Sequence, residues 1–369
     1  MSSKRKIAII TAGGDCPGMN SAIRAVAKKA ILEHDLEVIG IEDGFEGTIR
    51  NRYRLLHYED VSGIMTWGGT ILGTSNSADP YAYAVKRGKN ISKSDRSKTA
   101  LNNIKRIGVE SVICIGGDGS LTIASRFATD GVSIVGVPKT IDNDVTGTDV
   151  AIGFDTALSI ATEAIDRVHT SAQSHHRVMI VEVMGRNAGW LALYAGIAGG
   201  GDIILIPEIP YDIRYIVNRV KERNRRGKKF TIVVVSEGAK PAGGQVVVKR
   251  MVKYSPDPVR LGGISFVLAN QIEEITGIET RALVLGHLQR GGSPTSADRV
   301  LATRLGTKAM EYIANREYGC MVGLKGDDLV SVPLNMVANR QRTVLIDSPL
   351  IKAARSVGTC FGDEHGMHP

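Results

Sequence analysis

The sequence predicts an α/β fold made of two domains whose sheets are mostly parallel. Short apolar runs alternate with segments that carry apolar residues at helical spacing, an alternation typical of βαβ units. Glycine clusters follow several apolar runs, and parallel sheets bind ligands at the carboxyl ends of their strands. The length of 369 residues suggests two domains. We therefore expect two Rossmann-like, doubly wound domains, with the active site in the cleft between them.

In the first half of the chain the predicted strands and helices alternate clearly. Residues 6–14 form an apolar run that ends in glycines, which indicates a buried strand and a tight turn. A helix is predicted at residues 19–34, with Asn20 as its N-cap. A strand is predicted at residues 36–44, a strand that runs into glycines at 111–121, and a strand followed by a polar turn at 132–144, with a helix between the last two segments.

The second half continues this pattern up to about residue 316. Helices are predicted at residues 157–174, 190–200 and 296–316. Strands, some with the loop that follows them, are predicted at residues 177–189, 202–208, 229–238 and 281–294. Residues 239–262 are rich in Gly, Pro and basic residues and are predicted to be an excursion from the core, and residues 318–369 lose the alternation.

The composition excludes several classes of protein. Hydrophobic residues make up 43% and charged residues 23%, as in ordinary globular proteins. There is no apolar run of membrane-spanning length, and the N-terminal apolar run is too short for a signal peptide. The four cysteines have no CxxC spacing, which argues against zinc or a disulfide framework and favours a reducing cytoplasm.

The basic residues exceed the acidic ones, giving a formal net charge of +8. Such an excess suits nucleic acid or small anionic ligands. The basic runs at residues 4–6 and 223–229 are short and scattered, and no zinc-finger or RNP signature accompanies them. We therefore expect no nucleic-acid partner and no membrane, and we favour small anions.

The glycine clusters at strand ends predict a phosphate-handling site. A glycine there lets the backbone approach a ligand, and the N-terminus of the next helix favours an anion. The Walker pattern is absent, and Gly117 begins a GxGxxG-like run that carries Thr122 in place of the third glycine. Asp118 would repel a pyrophosphate unless a metal intervened, so it is a candidate Mg²⁺ residue. The alternative is that Asp118 only caps the next helix.

Asp142 and Asp144 form the sharpest candidate site. They lie two residues apart at the end of an apolar strand, and in extended geometry they would share a face. Paired carboxylates are costly unless they bind metal, pair with a cation or take part in acid–base chemistry. An ordinary turn closed by side-chain hydrogen bonds is the alternative. Cationic side chains near the ends of other predicted strands are candidates for binding phosphate, because Arg can make bidentate contacts to it. These candidates are Arg177, Arg186, Arg281, His287 and Arg290.

Seven stretches together resemble the 6-phosphofructokinase family. They occur in the family's order over roughly residues 5–315, and are TAGGDCPGMNSAIR (11–24), GGTILGTS (68–75), GGDGS (116–120), PKTIDND (138–144), VMGRNAGW (183–190), SEG (236–238) and ETRALVLGHLQRGGSP (279–294). The resemblance implies phosphorylation of the 1-hydroxyl of fructose 6-phosphate by MgATP, the committed step of glycolysis. A non-catalytic phosphate-sensing protein is a remote alternative, since Asp118, Asp142, Asp144, Arg186 and Arg281 are all present.

The resemblance assigns roles to individual residues. It makes Asp142 the general base, Asp118 the Mg²⁺ residue, and Thr140 and Asp144 contacts to substrate and metal. The donor-phosphate residues it implies are Gly14, Asn76, Gly117, Asp118, Gly119 and Ser120, where Asn76 replaces an arginine familiar in bacterial enzymes. The fructose 6-phosphate residues it implies are Thr140, Asp142, Met184, Gly185, Arg186, Glu237, His287 and Arg290, with Arg177 and Arg281 from a neighbouring subunit; Arg186 is also counted as catalytic.

The identity of the phosphoryl donor rests on Gly119 and Lys139. In this family, pyrophosphate users usually carry Asp and Lys at these positions and ATP users carry Gly at both, so this chain is mixed. An Asp in place of Gly119 would crowd and repel a nucleotide triphosphate. We therefore favour ATP, with a reversible pyrophosphate-dependent enzyme on the same scaffold as the alternative.

The resemblance also implies a homo-oligomer, a dimer or a tetramer, with an active site shared between subunits. The larger, donor-binding domain is expected at residues 1–153 and about 288–340, and the smaller, sugar-phosphate domain at 154–287 and about 341–369. Five residues stand at positions where the resemblance implies an allosteric effector site: Arg24, Lys28, Asp202, Arg226 and Lys228. A basic subunit interface without a ligand is the alternative interpretation of these residues.

Overall fold

The computed structural model describes residues 4–87, 90–251 and 259–364. Its strands are β1 (Lys6–Ala12), β2 (Glu37–Ile41), β3 (Tyr53–Leu56), β4 (Tyr83–Arg87), β5 (Asn90–Ser94), β6 (Val109–Gly116), β7 (Ile134–Pro138), β8 (Val178–Val183), β9 (Ile203–Leu205), β10 (Thr231–Ser236), β11 (Val248–Met251), β12 (Val259–Leu261), β13 (Thr280–Val284), β14 (Cys320–Lys325) and β15 (Asp328–Pro333). Its α-helices are α1 (Met19–His34), α2 (Phe45–Arg50), α3 (Ser97–Ile107), α4 (Asp118–Thr129), α5 (Phe154–His175), α6 (Trp190–Ala198), α7 (Ile213–Arg225), α8 (Ile264–Thr276), α9 (Ser296–Ala314), α10 (Leu334–Val337) and α11 (Pro349–Ser356). Short 3₁₀ helices cover Ile64–Thr66 and Gly286–Arg290.

The described chain forms two compact units that interleave in sequence. The first unit contains Met1–Thr156 and Arg290–Gln341. The second contains Ala157–Met251, Val259–Gln289 and Arg342–Pro369. Gln341 and Arg342 are therefore neighbours in the chain that belong to different units.

The first unit is built on a seven-stranded sheet of order β15-β14-β7-β6-β1-β2-β3. The pairs β1–β2, β1–β6, β6–β7 and β7–β14 are parallel, whereas the edge pairs β2–β3 and β14–β15 are antiparallel. Residues that alternate along β1 point into different hydrophobic clusters: Ile7 and Ile9 into one, Ala8 and Ile10 into the other. Both faces of this sheet are therefore covered, as parallel sheets require.

The second unit is built on a parallel four-stranded sheet of order β13-β8-β10-β9. Its central strand β10 is buried along its whole length, which explains its continuous run of Val and Ile. Cys360 adds a parallel bridge to Ile203 at the β9 edge. The predicted α/β class, with two mostly parallel sheets, is confirmed.

The start of α1 differs from the prediction. Gly18, with a φ of 98°, is the N-cap residue, and Asn20 lies inside the first turn. The buried Asn20 side chain donates to the carbonyls of Trp67 and Gly68 and accepts from the Ile71 amide. The prediction of Asn20 as N-cap is therefore wrong, because its amide holds a distant loop rather than the first amides of its own helix.

Residues 132–144 form a strand followed by a turn, as predicted. β7 ends at Pro138, and Asn143 has a φ of 52° in the left-handed region. The Asn143 side chain accepts from the Ala151 amide and donates to the Asp149 carbonyl, which holds the turn. Asp142 and Asp144 therefore do not share the face of an extended strand, and a turn determines where their carboxylates lie.

Two regions without clear sequence alternation have defined structure. The β14–β15 hairpin and α10 complete the first unit, and the tail from α11 to Cys360 packs in the second. Within residues 239–262, β11 and β12 form a separate antiparallel pair, and β11 is exposed. Residues 252–258 of that predicted excursion lie outside the described residues. Across the described ranges, no helix combines the length and apolar character needed to cross a membrane.

Candidate active site

The loop after β1 is held by two buried or half-buried cations. The Lys139 ammonium donates to the Gly14 carbonyl at 2.6 Å, and Arg290 Nη1 donates to the Asp15 carbonyl at 3.0 Å. Burial lowers the pKa of the Lys139 ammonium. A Cβ on Gly14 would lie 2.6 Å from Arg290 Nη1, so the guanidinium can occupy this position only because residue 14 has no side chain. The donor-specificity candidate Lys139 is thus in contact with the predicted phosphate loop.

Residues 73–76 lie against the same loop. The Gly13 amide donates to the Ser75 carbonyl at 3.1 Å, and the Thr74 hydroxyl donates to the Gly13 carbonyl at 2.6 Å. Asn76 follows directly and is exposed. Thr74 was not predicted as a site residue; its position in the matched stretch GGTILGTS was the available indication.

The glycine turn after β6 leads directly into α4. Gly117 is the N-cap residue and Asp118 begins the helix, so Asp118 does not itself cap it. An ideal Cβ on Gly13 would lie 3.0 Å from Ser120 Oγ, which brings this turn beside the β1 loop. Around Gly119 an ideal Cβ would meet no described heavy atom within 4 Å. The packing of the described chain therefore does not require a glycine at position 119.

Three carboxylates converge after these strands. Burial, together with the smaller effect of the negative charges of Asp142 and Asp118, raises the pKa of Asp144 to about 7. Thr140 Oγ1 accepts a hydrogen bond from the Asp142 amide at 3.1 Å. Gln341, which the sequence did not indicate, donates from Nε2 to Asp118 at 3.1 Å and to Asp144 at 3.3 Å.

The carboxylate site fits a cation that brings ligands of its own. Asp144 Oδ1 is buried and has no hydrogen-bond partner among the described residues. Across all the residues that the structure describes, no three or more His, Cys, Asp or Glu side chains are arranged so that they could hold a metal by themselves. Mg²⁺ in phosphoryl-transfer enzymes takes one or two carboxylates together with water and substrate phosphates. Asp118 and Asp144 match that requirement.

In the second unit the loops after β8 and β10 meet. The Arg186 amide donates to Glu237 Oε1 at 3.4 Å. Arg186 has a φ of 48°, and Gly185, with a φ of 134°, precedes it after Met184. A Cβ on Gly238 would lie 1.7 Å from the Arg186 carbonyl oxygen, so this close approach requires glycine. The structure thus brings Met184, Gly185, Arg186 and Glu237 together.

Arg177 and Arg281 share one carboxylate in the second unit. Arg177 Nε donates to Glu279 Oε2 at 2.7 Å, and Arg281 Nη2 donates to the other Glu279 oxygen. The bond from Arg177 lowers the pKa of Glu279. Glu279 therefore holds two like charges close together. The sequence indicated it only as the residue that precedes TRALVLG.

His287 and Arg290 both lie on the 3₁₀ helix Gly286–Arg290, but they fall in different units. His287 is exposed in the second unit. Arg290 belongs to the first, where it donates to the Asp15 carbonyl. Arg290, assigned to the sugar phosphate by resemblance, thus also supports the loop assigned to the donor.

The five candidate effector residues are also distributed over both units. Lys28 lies 3.8 Å from the centre of the Tyr58 ring in the first unit, which also holds Arg24. In the second unit Asp202 pairs with Arg223 at 2.7 Å, Arg226 pairs with Glu222 at 2.7 Å, and Lys228 is exposed. Burial raises the pKa of Asp202. A cavity of about 190 Å³ beside this pair is lined by Gly200, Asp202, Arg219, Arg223 and Gly358, among others.

Comparison with known proteins identifies the family of the chain. A family model described as "Phosphofructokinase" matches residues 6–313, most of the chain. The chain belongs to the phosphofructokinase family. The family predicted from the sequence motifs is therefore confirmed.

Two phosphofructokinase relatives match nearly the whole chain. The "ATP-dependent 6-phosphofructokinase 2" of Clostridium perfringens is 52% identical over 362 residues, which cover 97% of this chain and 99% of the relative. The "ATP-dependent 6-phosphofructokinase 3" of Bacteroides thetaiotaomicron is 49% identical over 357 residues, which cover 97% and 100%.

Solved phosphofructokinase structures have the same fold. Pichia pastoris phosphofructokinase in the T-state is 31% identical with a TM-score of 0.78; the match covers 91% of this chain but only 36% of the longer yeast chain. A pyrophosphate-dependent phosphofructokinase from Marinobacter aquaeolei is 22% identical with a TM-score of 0.77, covering 93% and 86%. At that identity the second similarity shows the fold alone.

Proposed function

We propose that this chain is an ATP-dependent 6-phosphofructokinase. It transfers the terminal phosphoryl group of ATP to the 1-hydroxyl of fructose 6-phosphate, which gives fructose 1,6-bisphosphate and ADP. The observation that carries the proposal is the near full-length match, at about half identity, to relatives named as ATP-dependent enzymes. The open space at Gly119 supports the same donor. As an enzyme of glycolysis it acts in the cytoplasm.

The proposed chemistry follows from the side chains of the first unit. A carboxylate oxygen of Asp142 takes the proton of the sugar 1-hydroxyl as that oxygen attacks the terminal phosphorus, and the bond from phosphorus to the ADP oxygen breaks. Thr140 orients this turn through its bond with the Asp142 amide. Asp118 and Asp144 would hold Mg²⁺, which, when bound, neutralises charge on the donor phosphates. The backbone of Gly14, Gly117, Gly119 and Ser120, with Asn76, would cradle those phosphates.

The second unit supplies the proposed sugar-phosphate residues. The proposed sugar-binding residues of this unit are Met184, Gly185, Arg186, Glu237 and His287, and Arg186 also stabilises the transferring group. Arg290 is the proposed sugar-phosphate residue of the first unit. Arg177 and Arg281 bind the 6-phosphate of the fructose 6-phosphate that occupies the active site of a neighbouring copy. The active enzyme is therefore a dimer or a tetramer. Arg177 is half-buried and Arg281 is exposed, and both lie beside Glu279. Their accessibility supports a role in binding a ligand held by another subunit. Arg24, Lys28, Asp202, Arg226 and Lys228 remain proposed effector residues.

A donor assay tests the proposal. Purified protein is incubated with fructose 6-phosphate and Mg²⁺, and ATP and pyrophosphate are offered separately. We expect turnover with ATP and none with pyrophosphate. Turnover with pyrophosphate alone would favour the second candidate, the reversible pyrophosphate-dependent enzyme that Lys139 suggests. Absence of turnover with both donors would refute the assignment for this acceptor.

Replacing Lys139 by Met should weaken ATP binding without changing the choice of donor. The substitution keeps the packing volume but removes the bond to the Gly14 carbonyl, and a bond from a charged group contributes about 1.5 kcal/mol or more. We expect the KM for ATP to rise about tenfold. Lys98→Met, on the exposed face of α3, is the matched control. An unchanged KM for ATP in folded Lys139→Met, or turnover with pyrophosphate that this variant shows and the wild type does not, would contradict the prediction.

Replacing Glu279 by Gln should weaken binding of fructose 6-phosphate. A neutral amide cannot hold the two guanidinium groups of Arg177 and Arg281 together against their mutual repulsion. We expect the KM for fructose 6-phosphate to rise roughly three- to tenfold, with kcat nearly unchanged. Initial rates at varied fructose 6-phosphate measure this, and Glu274→Gln on α8 is the control. Equal KM values for the two variants would contradict the role given to Glu279.

A further inference from the structure

Gln341 lies on a segment that backbone contacts fix beside the carboxylates of the first unit. Gln341 forms an antiparallel bridge with Val145, the residue after Asp144. Two residues earlier, the Asn339 amide donates to Thr122 Oγ1 on α4 at 3.0 Å. The segment is therefore tied both to the helix that begins with Asp118 and to the turn that carries Asp144.

The side chain of Gln341 links two of the three carboxylates. Its Nε2 lies 3.1 Å from Asp118 Oδ2 and 3.3 Å from Asp144 Oδ2. A primary amide has two N–H groups, so one nitrogen can donate to both anions. Because the amide is neutral, it holds the two carboxylates in place without cancelling the negative charge that a cation requires.

Fixing the two carboxylates in advance favours binding of a divalent cation. A site whose ligands are already oriented loses less conformational freedom when the ion arrives. Asp144 contributes a buried oxygen with no hydrogen-bond partner among the described residues, while Gln341 contacts its other oxygen. The contact with Gln341 thus leaves one oxygen of Asp144 available to a cation.

We propose that Gln341 is a positioning residue of the magnesium site, whose amide orients Asp118 and Asp144 to receive the cation together with the donor phosphates. The inference rests on the proposed function, since that function places Mg²⁺ at these carboxylates. Gln341 lies beyond residues 6–313, where the family model matches, so its role is assigned from its contacts. Gln341 would act through the two carboxylates that its side chain contacts.

The test measures how strongly Mg²⁺ promotes binding of a non-hydrolysable ATP analogue. Calorimetric titration with the β,γ-imido analogue gives dissociation constants with and without Mg²⁺, and their ratio is compared between wild type and Gln341→Met. Met has a similar length and no N–H donor. We expect the ratio to fall about tenfold, with the metal-free constant unchanged within about twofold. Gln173→Met, the same exchange at an exposed position of α5, should keep the wild-type ratio.

The possible outcomes separate this role from the proposed function. A wild-type ratio in folded Gln341→Met overturns the role of Gln341 and leaves the kinase assignment intact. A wild-type protein that turns over ATP but shows no Mg²⁺ effect on analogue binding overturns both the magnesium site and the positioning role. If circular dichroism shows that Gln341→Met is unfolded, Gln341→Asn replaces it. The shorter amide cannot span both carboxylates, so a wild-type ratio in Gln341→Asn also overturns the proposal.

Discussion

Asp142→Ser is expected to lower kcat by about 10²- to 10⁴-fold, the usual contribution of a general base. Serine cannot accept the proton of the sugar hydroxyl at neutral pH. The fold should survive, because the substitution removes one negative charge from beside the buried Asp144 and the half-buried Asp118. Steady-state rates with saturating ATP and fructose 6-phosphate measure the loss.

Two controls define the Asp142→Ser result. Asp327→Ser, at an exposed turn, should keep wild-type kcat. The thermal unfolding midpoint of Asp142→Ser should be equal to or above that of the wild type, because like-charge repulsion is relieved. Retained kcat in a folded Asp142→Ser protein would refute Asp142 as the base.

Gly119→Asp is expected to lower kcat/KM for ATP by about 100-fold or more while the protein stays folded. An ideal Cβ at this position meets open space, so the fold can accept a side chain there. A carboxylate next to Asp118 would repel the phosphates of the nucleotide and occupy their space. A loss of about 3 kcal/mol corresponds to that factor. Because Lys139 is already present, turnover with pyrophosphate, which we expect to be absent from the wild type, should become detectable in Gly119→Asp.

Variants at Gly119 can separate charge from bulk. Gly119→Asn is nearly isosteric with Asp but neutral, and Gly119→Ala adds only the Cβ. We expect ATP activity to fall in the order Ala, Asn, Asp, measured as kcat/KM alongside the thermal unfolding midpoint. Wild-type ATP activity in Gly119→Asp would show that residue 119 does not face the donor.

The sequence alone was sufficient for elements whose stability is mainly local or whose burial is continuous. β10, buried throughout, appears as an uninterrupted apolar run, and α1 and α9 follow helical spacing. The β14–β15 hairpin was missed because it pairs with β7, a strand about 180 residues earlier in the chain. Burial that depends on so distant a partner leaves only a weak local pattern.

The candidate site shows the same division. Motif residues such as Asp118, Asp142 and Arg186 could be proposed because matched stretches carry them. Glu279 and Gln341 act only through the neighbours that folding gives them, and no spacing rule indicates a residue of that kind. Asp142 and Asp144 were placed near each other for the wrong reason, since the left-handed Asn143 bends the chain between them.

The interleaving of the two units affects how the protein is made. β7 leaves the ribosome long before β14, its neighbour in the first sheet, and β9 precedes Cys360, which bridges its edge, by more than 150 residues. At a synthesis rate of about 5–20 residues per second, these edges stay uncovered for roughly ten to forty seconds. Exposed strand edges are templates for aggregation. We therefore expect the nascent chain to be prone to aggregation until the edges of β7 and β9 are covered.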